Sequence, residues 1–376
     1  MTHTAFGFSL DFLLKEMANE TKKWLILSFL FLVTSCMQYC VHGESHVPCS
    51  FAFGDSFTDV GNNNNLPTRS KSNYFPYGID FPQGPTGRYT NDQTSFDILT
   101  VKYLEFANRL PPYYNINGSD IQKGVVYASG GCGILDTTGY RTYGFCINFR
   151  TQVLNHKSIV SRIVFEMGSR DKAAEYLNKC LYYTYIGSND YVNNYFLNNS
   201  ATSLLYNPMQ YAKLLKARYY EQLKELHGVG ARLFAILGLF PLGCSVDYIS
   251  NGSCNETVNA AVANFNAEVK DLVDQCNNNM TLPGAKCIYV NLSAFFPTPT
   301  NPSGFKNITG PCCQVDPVLG FCIRNSTPCP NRTEYVYYDT IHPTNRTNEI
   351  IAMNAYNSSN PNYTYPTDIK GLIQKA

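Results

Sequence analysis

A chain of 376 residues with 44% hydrophobic residues can bury one large α/β core or two smaller ones. Charged residues make up only 15%, against about a quarter in an average globular protein, and the net charge is +1 with no lysine/arginine cluster. Nucleic acid is therefore set aside as a partner, because phosphate binding needs concentrated basic charge.

The first apolar run, Trp24 to Val33, stands behind Lys22 and Lys23. A basic stub followed by a short apolar run is the layout of a secretory signal, and this one is too short for a comfortable membrane span. The residues ahead of it are many for such a stub, and Met17 supplies a conventional start. Residues 1–43 are expected to be a gene-model extension plus a signal peptide spanning about Met17 to Gly43, cleaved between Ser35 and Glu44. An uncleaved anchor is the alternative. Secretion is the expectation, with no stable membrane insertion once the signal is gone.

Five short apolar runs follow: Ser50–Phe53, Val125–Ala128, Leu181–Ile186, Leu233–Leu237 and Cys287–Leu292. Each has the length of a strand and ends at or near Gly, Asn or Ser. Helical patterns lie between them, over Thr94–Ala107, Thr151–Asn178, Pro208–His227 and Glu256–Cys276. The last carries Val258, Val262, Phe265, Val269 and Val273 on one face. Strand alternating with helix predicts an α/β fold, a three-layer α/β/α sandwich around a five-stranded parallel sheet. No composition shift divides residues 44–376, which are read as one domain.

Right-handed crossovers bring the carboxyl ends of such strands to one edge, where open α/β folds hold their chemistry. The first run ends in Gly54-Asp55-Ser56, the second in Ser129-Gly130-Gly131-Cys132-Gly133, the third in Gly187-Ser188-Asn189-Asp190. Ser56 is the candidate nucleophile. A serine hydroxyl needs a base, a group that orients the base, and donors for the oxyanion. The Ser56 N–H, a glycine N–H from the second of these stretches, and the Asn189 amide are the candidate donors. Taken alone, the glycine run reads as a packing turn and the Asn189 stretch as a helix cap.

Of six histidines, His3, His42 and His46 fall in or near the segment expected to be removed or disordered, and His156 and His227 sit in helical patterns. His342 remains. It stands in Asp339-Thr340-Ile341-His342-Pro343, with a carboxylate three residues away that can hold one ring nitrogen while the other faces Ser56.

Cysteine usage fits an oxidising compartment. Removing Cys36 and Cys40 with the leader leaves an even set. Cys244 with Cys254 closes a short loop, Cys312, Cys313, Cys322 and Cys329 staple another, and Cys180 and Cys287 read as buried thiols. A zinc site in the Cys312–Cys329 stretch lacks ligand spacing and a histidine pair. About a dozen Asn-x-Ser/Thr sequons, among them Asn117, Asn198, Asn251, Asn279, Asn307, Asn331, Asn345 and Asn357, are glycan acceptors in such a compartment.

Together these blocks resemble the plant GDSL-motif esterase/lipase family of the SGNH hydrolase superfamily. The resemblance runs from Cys49 to Gln374. It rests on Phe53-Gly54-Asp55-Ser56-Phe57-Thr58-Asp59-Val60-Gly61-Asn62-Asn63, Ala128-Ser129-Gly130-Gly131-Cys132-Gly133-Ile134, Ile186-Gly187-Ser188-Asn189-Asp190-Tyr191 and Asp339-Thr340-Ile341-His342-Pro343-Thr344. Connectors Gly87-Arg88-Tyr89-Thr90-Asn91, Pro241-Leu242-Gly243-Cys244 and Cys312-Cys313 match as well. The resemblance implies a flavodoxin-like SGNH fold that hydrolyses carboxylic esters of small molecules, lipids or polysaccharides without metal or organic cofactor. By position it implies Ser56 as nucleophile, His342 as base, Asp339 as its orienter, and the Ser56 N–H, Gly131 and Asn189 as oxyanion hole, with the adjacent Gly130 as the alternative to Gly131. Three positions depart from the family: Val126 where Asn is common, Tyr338 where Trp is common, and Asp92 where Gly is common. No Gly-x-Ser-x-Gly elbow is present, which argues against the ordinary α/β-hydrolase fold.

Two rival readings use the same scaffold: transfer of the acyl group to another alcohol, and a non-catalytic carbohydrate- or lipid-binding protein. A fluorophosphonate reagent separates enzyme from binder. A structural wall protein is disfavoured by the lack of repeats. Phe57, Tyr74, Phe75, Tyr77 and Phe81 either line an acyl groove or pack the core.

Overall fold

Four of the five apolar runs form the central sheet in the computed structural model, which describes residues 22–29, 45–116, 120–278, 280–358 and 360–375. They are β1 (Ser50–Gly54), β2 (Leu181–Tyr185), β3 (Leu233–Leu237) and β4 (Lys286–Val290). All four are mutually parallel, with Ala52, Tyr183, Ala235 and Ile288 side by side across the sheet. Nearly every residue in them is buried, the mark of strands covered on both faces.

The fifth strand of the sheet is not the one expected. After β5 (Asn307–Pro311) and β6 (Tyr335–Tyr337), which pair with each other apart from the sheet, comes β7 (Thr364–Tyr365), antiparallel to β4 at the edge. Val125–Ala128 lies along the opposite edge, beside β1. Ala52 N–H donates to Val125 O (3.1 Å) and Tyr127 N–H to Ala52 O (2.7 Å), so the direction is parallel as expected. The segment has no regular strand on its far side. There the Asn62 amide donates to Val126 O and Ala128 O at 2.9 and 2.8 Å, and Val126 N–H donates to Pro111 O.

Helices cover the sheet in two groups. α1 (Ser95–Ile98) continues into a wider turn over Leu99–Tyr103, and it packs with α6 (Asn345–Tyr356), which in turn meets α7 (Ile369–Gln374). The other group is α2 (Phe149–Met167) with α3 (Arg170–Leu177), α4 (Pro208–Gly228) and α5 (Glu256–Asn277). The single helix expected over Thr151–Asn178 breaks where Gly168 turns left-handed (φ 66°) and Ser169 caps α3. Val258, Val262, Phe265, Val269 and Val273 are all buried, as their spacing predicts.

Six disulfides use all twelve cysteines from Cys49 onward. Cys244–Cys254, Cys312–Cys329 and Cys313–Cys322 fall in the loops expected to be stapled. Cys180 and Cys287 are not free thiols. Ser50 and Leu181 pair in register, so the residues just before them, Cys49 and Cys180, are neighbours and bond. Cys287 bonds Cys276 because the turn between α5 and β4 folds back on itself, held by Asn277 Oδ1 on the Cys287 N–H at 2.8 Å.

The chain divides into two units, Met1–Ser45 and His46–Ala376. In the first, residues 22–29 are helical; the expected cleavage window Ser35–Glu44, Cys36, Cys40, His3 and His42 lie outside the described residues, as do sequons Asn117 and Asn279 in the second unit. No helix among the described residues is long and apolar enough to cross a membrane. His46, set aside for its nearness to the segment expected to be removed or disordered, belongs to the fold: its N–H donates to Leu104 O (3.1 Å) and its Nδ1 lies 2.8 Å from the Tyr356 hydroxyl.

Buried carboxylates tie the loops at the carboxyl edge to each other. Asp59 accepts N–H bonds from Gly61 and Asn62 (both 2.8 Å) and from Gly130 (2.9 Å). Asp190 accepts from Ile134 N–H (2.7 Å), Leu135 N–H (3.1 Å) and the Thr138 hydroxyl (2.7 Å). Asp55 accepts from Phe57 N–H (3.1 Å) and from the Ser188 hydroxyl. Burial outweighs these donors and pushes Asp55 up to about 7 and Asp59 and Asp190 up to about 6. His156, enclosed by Phe51, Phe53, Tyr127 and Tyr182, is pushed down to about 3 by burial.

These shifts set the pH dependence of stability. A carboxyl raised in the folded state contributes stability that is complete below its unfolded value and is lost as pH climbs through the folded one. For the three aspartates that window runs from the ordinary 3.8 to about 6 or 7. His156 works oppositely: its contribution is complete above the ordinary 6.5 and is lost as pH falls toward about 3. Between pH ~5 and ~7 these three carboxyls, joined by Asp92, which burial also pushes up to about 6, outnumber the one imidazole, so the folded chain holds more protons than the unfolded one. Urea unfolding is therefore expected to show stability falling by on the order of 1–3 kcal/mol from pH ~5 to ~7. A rise over that interval would contradict the assignment.

Candidate active site

Ser56 stands two residues beyond Gly54, where β1 leaves the sheet. A Cβ on Gly54 would lie 2.4 Å from the carbonyl oxygen of Tyr185 on β2, so only glycine fits there. The Gln152 side chain from α2 grips the same residue, accepting Gly54 N–H at 2.9 Å and donating to Gly54 O at 2.8 Å. The position of the serine is thus set by strand pairing on one side and a side-chain amide on the other.

His342 lies in the loop between β6 and α6. The loop closes on itself where Tyr338 N–H donates to His342 O (2.7 Å). Asp339 Oδ1 accepts the N–H groups of Ile341 (3.0 Å) and His342 (2.8 Å), leaving Oδ2 to face the ring, 2.7 Å from His342 Nδ1. His342 Nε2 lies 2.7 Å from Ser56 Oγ. Residues separated by most of the chain therefore form one chain of hydrogen bonds, Asp339–His342–Ser56. Asp339 is fully buried, His342 is 2% exposed and Ser56 8%.

A fourth member was missed in the sequence. The Tyr77 hydroxyl donates to Asp339 Oδ2 at 2.5 Å and accepts the Cys322 N–H at 3.1 Å. Burial, and then the neighbouring Asp339 carboxylate, push the Tyr77 phenol well above its ordinary value, so it stays a protonated donor. Of the five aromatics that follow the nucleophile, only Phe57 lines the cleft at Ser56. Tyr77 and Phe81 are buried, Phe81 beneath the guanidinium groups of Arg88 and Arg109. Phe75 is exposed, and Tyr74 lies under Arg324.

Gly131 and Asn189 line the same cleft as Ser56 and His342. Gly131 has φ 83°, and a Cβ there would meet the Tyr143 ring at 2.6 Å. The Gly130 N–H is committed to Asp59, whereas the N–H groups of Ser56 and Gly131 have no hydrogen-bond partner among the described residues. Asn189 donates one amide hydrogen to Cys132 O (3.0 Å), and its Oδ1 accepts from Asn193 (2.7 Å). That fixes the orientation of the amide and leaves its other hydrogen uncommitted. Three donors without partners therefore border one cleft beside a hydroxyl hydrogen-bonded to an imidazole.

The other candidates fall elsewhere. His227 bonds Pro283 O at the end of α4 (2.9 Å), and His156 bonds the Tyr127 hydroxyl in the core (3.0 Å). The departures at Val126, Tyr338 and Asp92 leave the cleft intact. Asn62 supplies the hydrogen bonds beside Val126, Tyr338 is buried with its hydroxyl on Pro76 O (2.5 Å), and Asp92 borders a separate surface groove. Among the described residues no group of His, Cys, Asp and Glu has the arrangement of a metal site.

The GDSL-like lipase/acylhydrolase family profile matches residues 51–355. The chain is 40% identical over 371 residues to GDSL esterase/lipase At1g29670 of Arabidopsis thaliana, covering 95% of this chain and 100% of that protein. It is 41% identical over 369 residues to GDSL esterase/lipase At1g29660 of the same plant, again covering 95% and 100%. Among solved structures, phospholipase A1 from Streptomyces albidoflavus aligns over 82% of this chain and 98% of its own at 13% identity and a TM-score of 0.37, too loose a likeness to carry a conclusion. By the profile and by identity over nearly its whole length, the chain belongs to the GDSL lipase/acylhydrolase family, enzymes that hydrolyse carboxylic esters.

Proposed function

We propose that this protein is a secreted serine esterase with Ser56 as nucleophile, His342 as general base and Asp339 as the group that orients it. The observation that carries the reading is the unbroken hydrogen-bonded path Asp339–His342–Ser56 beside the uncommitted donors of Ser56, Gly131 and Asn189. His342 Nε2 takes the Ser56 proton as Oγ bonds the ester carbonyl carbon, and the carbonyl oxygen gains the negative charge. The Ser56 and Gly131 N–H groups and the Asn189 amide receive that charge, each donor lowering the barrier by roughly 3–4 kcal/mol. The C–O bond to the alcohol then breaks, and the alcohol leaves with the proton from His342. Water, deprotonated by the same imidazole, attacks the acyl-enzyme; the acid departs and Ser56 regains its proton. The ester is that of a small molecule, a lipid or a polysaccharide.

Secretion rests on the basic and apolar run from Lys22 to Val33 and on the six disulfides. On this reading residues 1–43 are leader and 44–376 the hydrolase domain.

Ser56→Ala is expected to lower kcat on p-nitrophenyl acetate by at least ~10³-fold while the circular dichroism spectrum is unchanged. Wild-type turnover in that variant would end the proposal. Asn189→Ala, which removes one oxyanion donor, is expected to lower kcat ~10²–10³-fold with KM little changed. Equal losses in binding and rate would assign Asn189 to substrate contact instead.

Tyr77 is a positioning residue on this reading. In Tyr77→Phe the Asp339 carboxylate loses a charge-assisted donor and turns more of its charge toward His342. The acid limb of the kcat/KM–pH profile is expected to move to higher pH. A variant that is merely less stable, with the limb unmoved, would reduce Tyr77 to a packing role.

A further inference from the structure

The cleft at Ser56 is small, and its roof is fastened down. Its volume is about 30 Å³. A single water already needs ~10–15 Å³, so the free space beside the hydroxyl is narrow. Two aromatic rings set the limit. Tyr143 lies against Gly131, and Phe321 lies 6.0 Å, centroid to centroid, from the His342 ring. The two stack on each other at 5.5 Å and 20°, so together they bridge the site from the glycine loop to the imidazole. Both are nearly buried, with exposures of 8% and 5%.

Both rings are carried on short loops tied at several points. Tyr143 sits inside the loop closed by Cys132–Cys146, and its carbonyl oxygen accepts the Arg69 N–H at 2.8 Å. Phe321 is next to Cys322, which is bonded to Cys313. The Cys322 N–H donates to the Tyr77 hydroxyl (3.1 Å), and its carbonyl oxygen accepts from the Tyr74 hydroxyl (2.9 Å). Swinging Phe321 away would break contacts that also hold Asp339, because Tyr77 serves both. The roof is therefore part of the catalytic framework rather than a lid hinged beside it.

We infer that the Tyr143–Phe321 pair restricts the acyl group to a short chain, and that the substrates are acetyl-sized esters whose alcohol part projects from the cleft. This inference rests on Ser56 as the acyl-accepting hydroxyl. Each methylene that meets a fixed aromatic roof instead of open space costs ~10-fold or more in kcat/KM, so discrimination steepens quickly with chain length.

The test is a series of p-nitrophenyl acetate, butyrate and octanoate on the wild-type protein, on Phe321→Ala and on Tyr143→Ala, with Ser56→Ala as the blank. The wild type is expected to favour acetate over octanoate by at least ~100-fold in kcat/KM, and either roof variant to shrink that ratio by at least ~10-fold. Thermal melts identify a variant that has not folded; Phe321→Leu and Tyr143→Leu then replace it, and the wild-type series decides by itself in any case. Ser56-dependent turnover of octanoate as fast as acetate, or a ratio unmoved in folded roof variants, overturns the inference and leaves the Ser56 assignment standing. Turnover that is the same in Ser56→Ala for every chain length overturns the assignment itself.

Discussion

Four aspartates, Asp55, Asp59, Asp190 and Asp339, sit fully buried at the carboxyl edge of the sheet, and each collects donors from the loops around the cleft. A buried carboxylate without such partners is too costly to keep, and a loop N–H without an acceptor is costly as well. Each need answers the other, so the loops have few other arrangements open to them. Asp59 ties the Ser56 loop to the glycine loop, Asp190 ties the glycine loop to the Asn189 turn, and Asp55 reaches Ser188 in that same turn. Asp339 closes the circle from the far end of the chain through His342. The N–H groups of Ser56 and Gly131 lie among loops tied in this way and have no partner of their own among the described residues.

Disulfides supply the second constraint, and they act on the same loops. Cys132–Cys146 closes the glycine loop on the side that carries Tyr143, and Cys313–Cys322 closes the one that carries Phe321. Cys49–Cys180 joins β1 and β2 at their starts, the ends opposite the cleft. Hydrogen bonds therefore hold the centre of the site, and covalent links hold its roof and the sheet beneath it. Such ties suit the proposed reading, in which donors already in place meet the developing oxyanion without reorganising.

Much of this was readable in the sequence because each part sits in a short contiguous block. Ser56, Gly131, Asn189 and the Asp339–His342 pair each follow an apolar run or precede a helix, so the α/β order alone brings them to one edge. What escaped depends on contacts between distant segments. Tyr77 reaches Asp339 across 262 residues, and nothing near it in sequence distinguishes it from Phe75 or Phe81. The pairing of Cys49 with Cys180 follows from the register of β1 and β2, which apolar runs do not encode. β7 is two residues long and precedes a proline, too short to leave a periodic signal, while Val125–Ala128 carries a strand's signal but spends its outer edge on Asn62. His46 was read by its nearness to the leader, although its backbone is already bonded to Leu104.

The claim on which the account turns is that the acyl group passes through Ser56. Protein quenched in acid during turnover of saturating p-nitrophenyl acetate, digested and read by tandem mass spectrometry, tests it directly. The account predicts one acetyl group on the peptide that contains Ser56, located on that serine and absent when the ester is omitted. Sustained enzymatic turnover with Ser56 unmodified and the acetyl group on another side chain would contradict it.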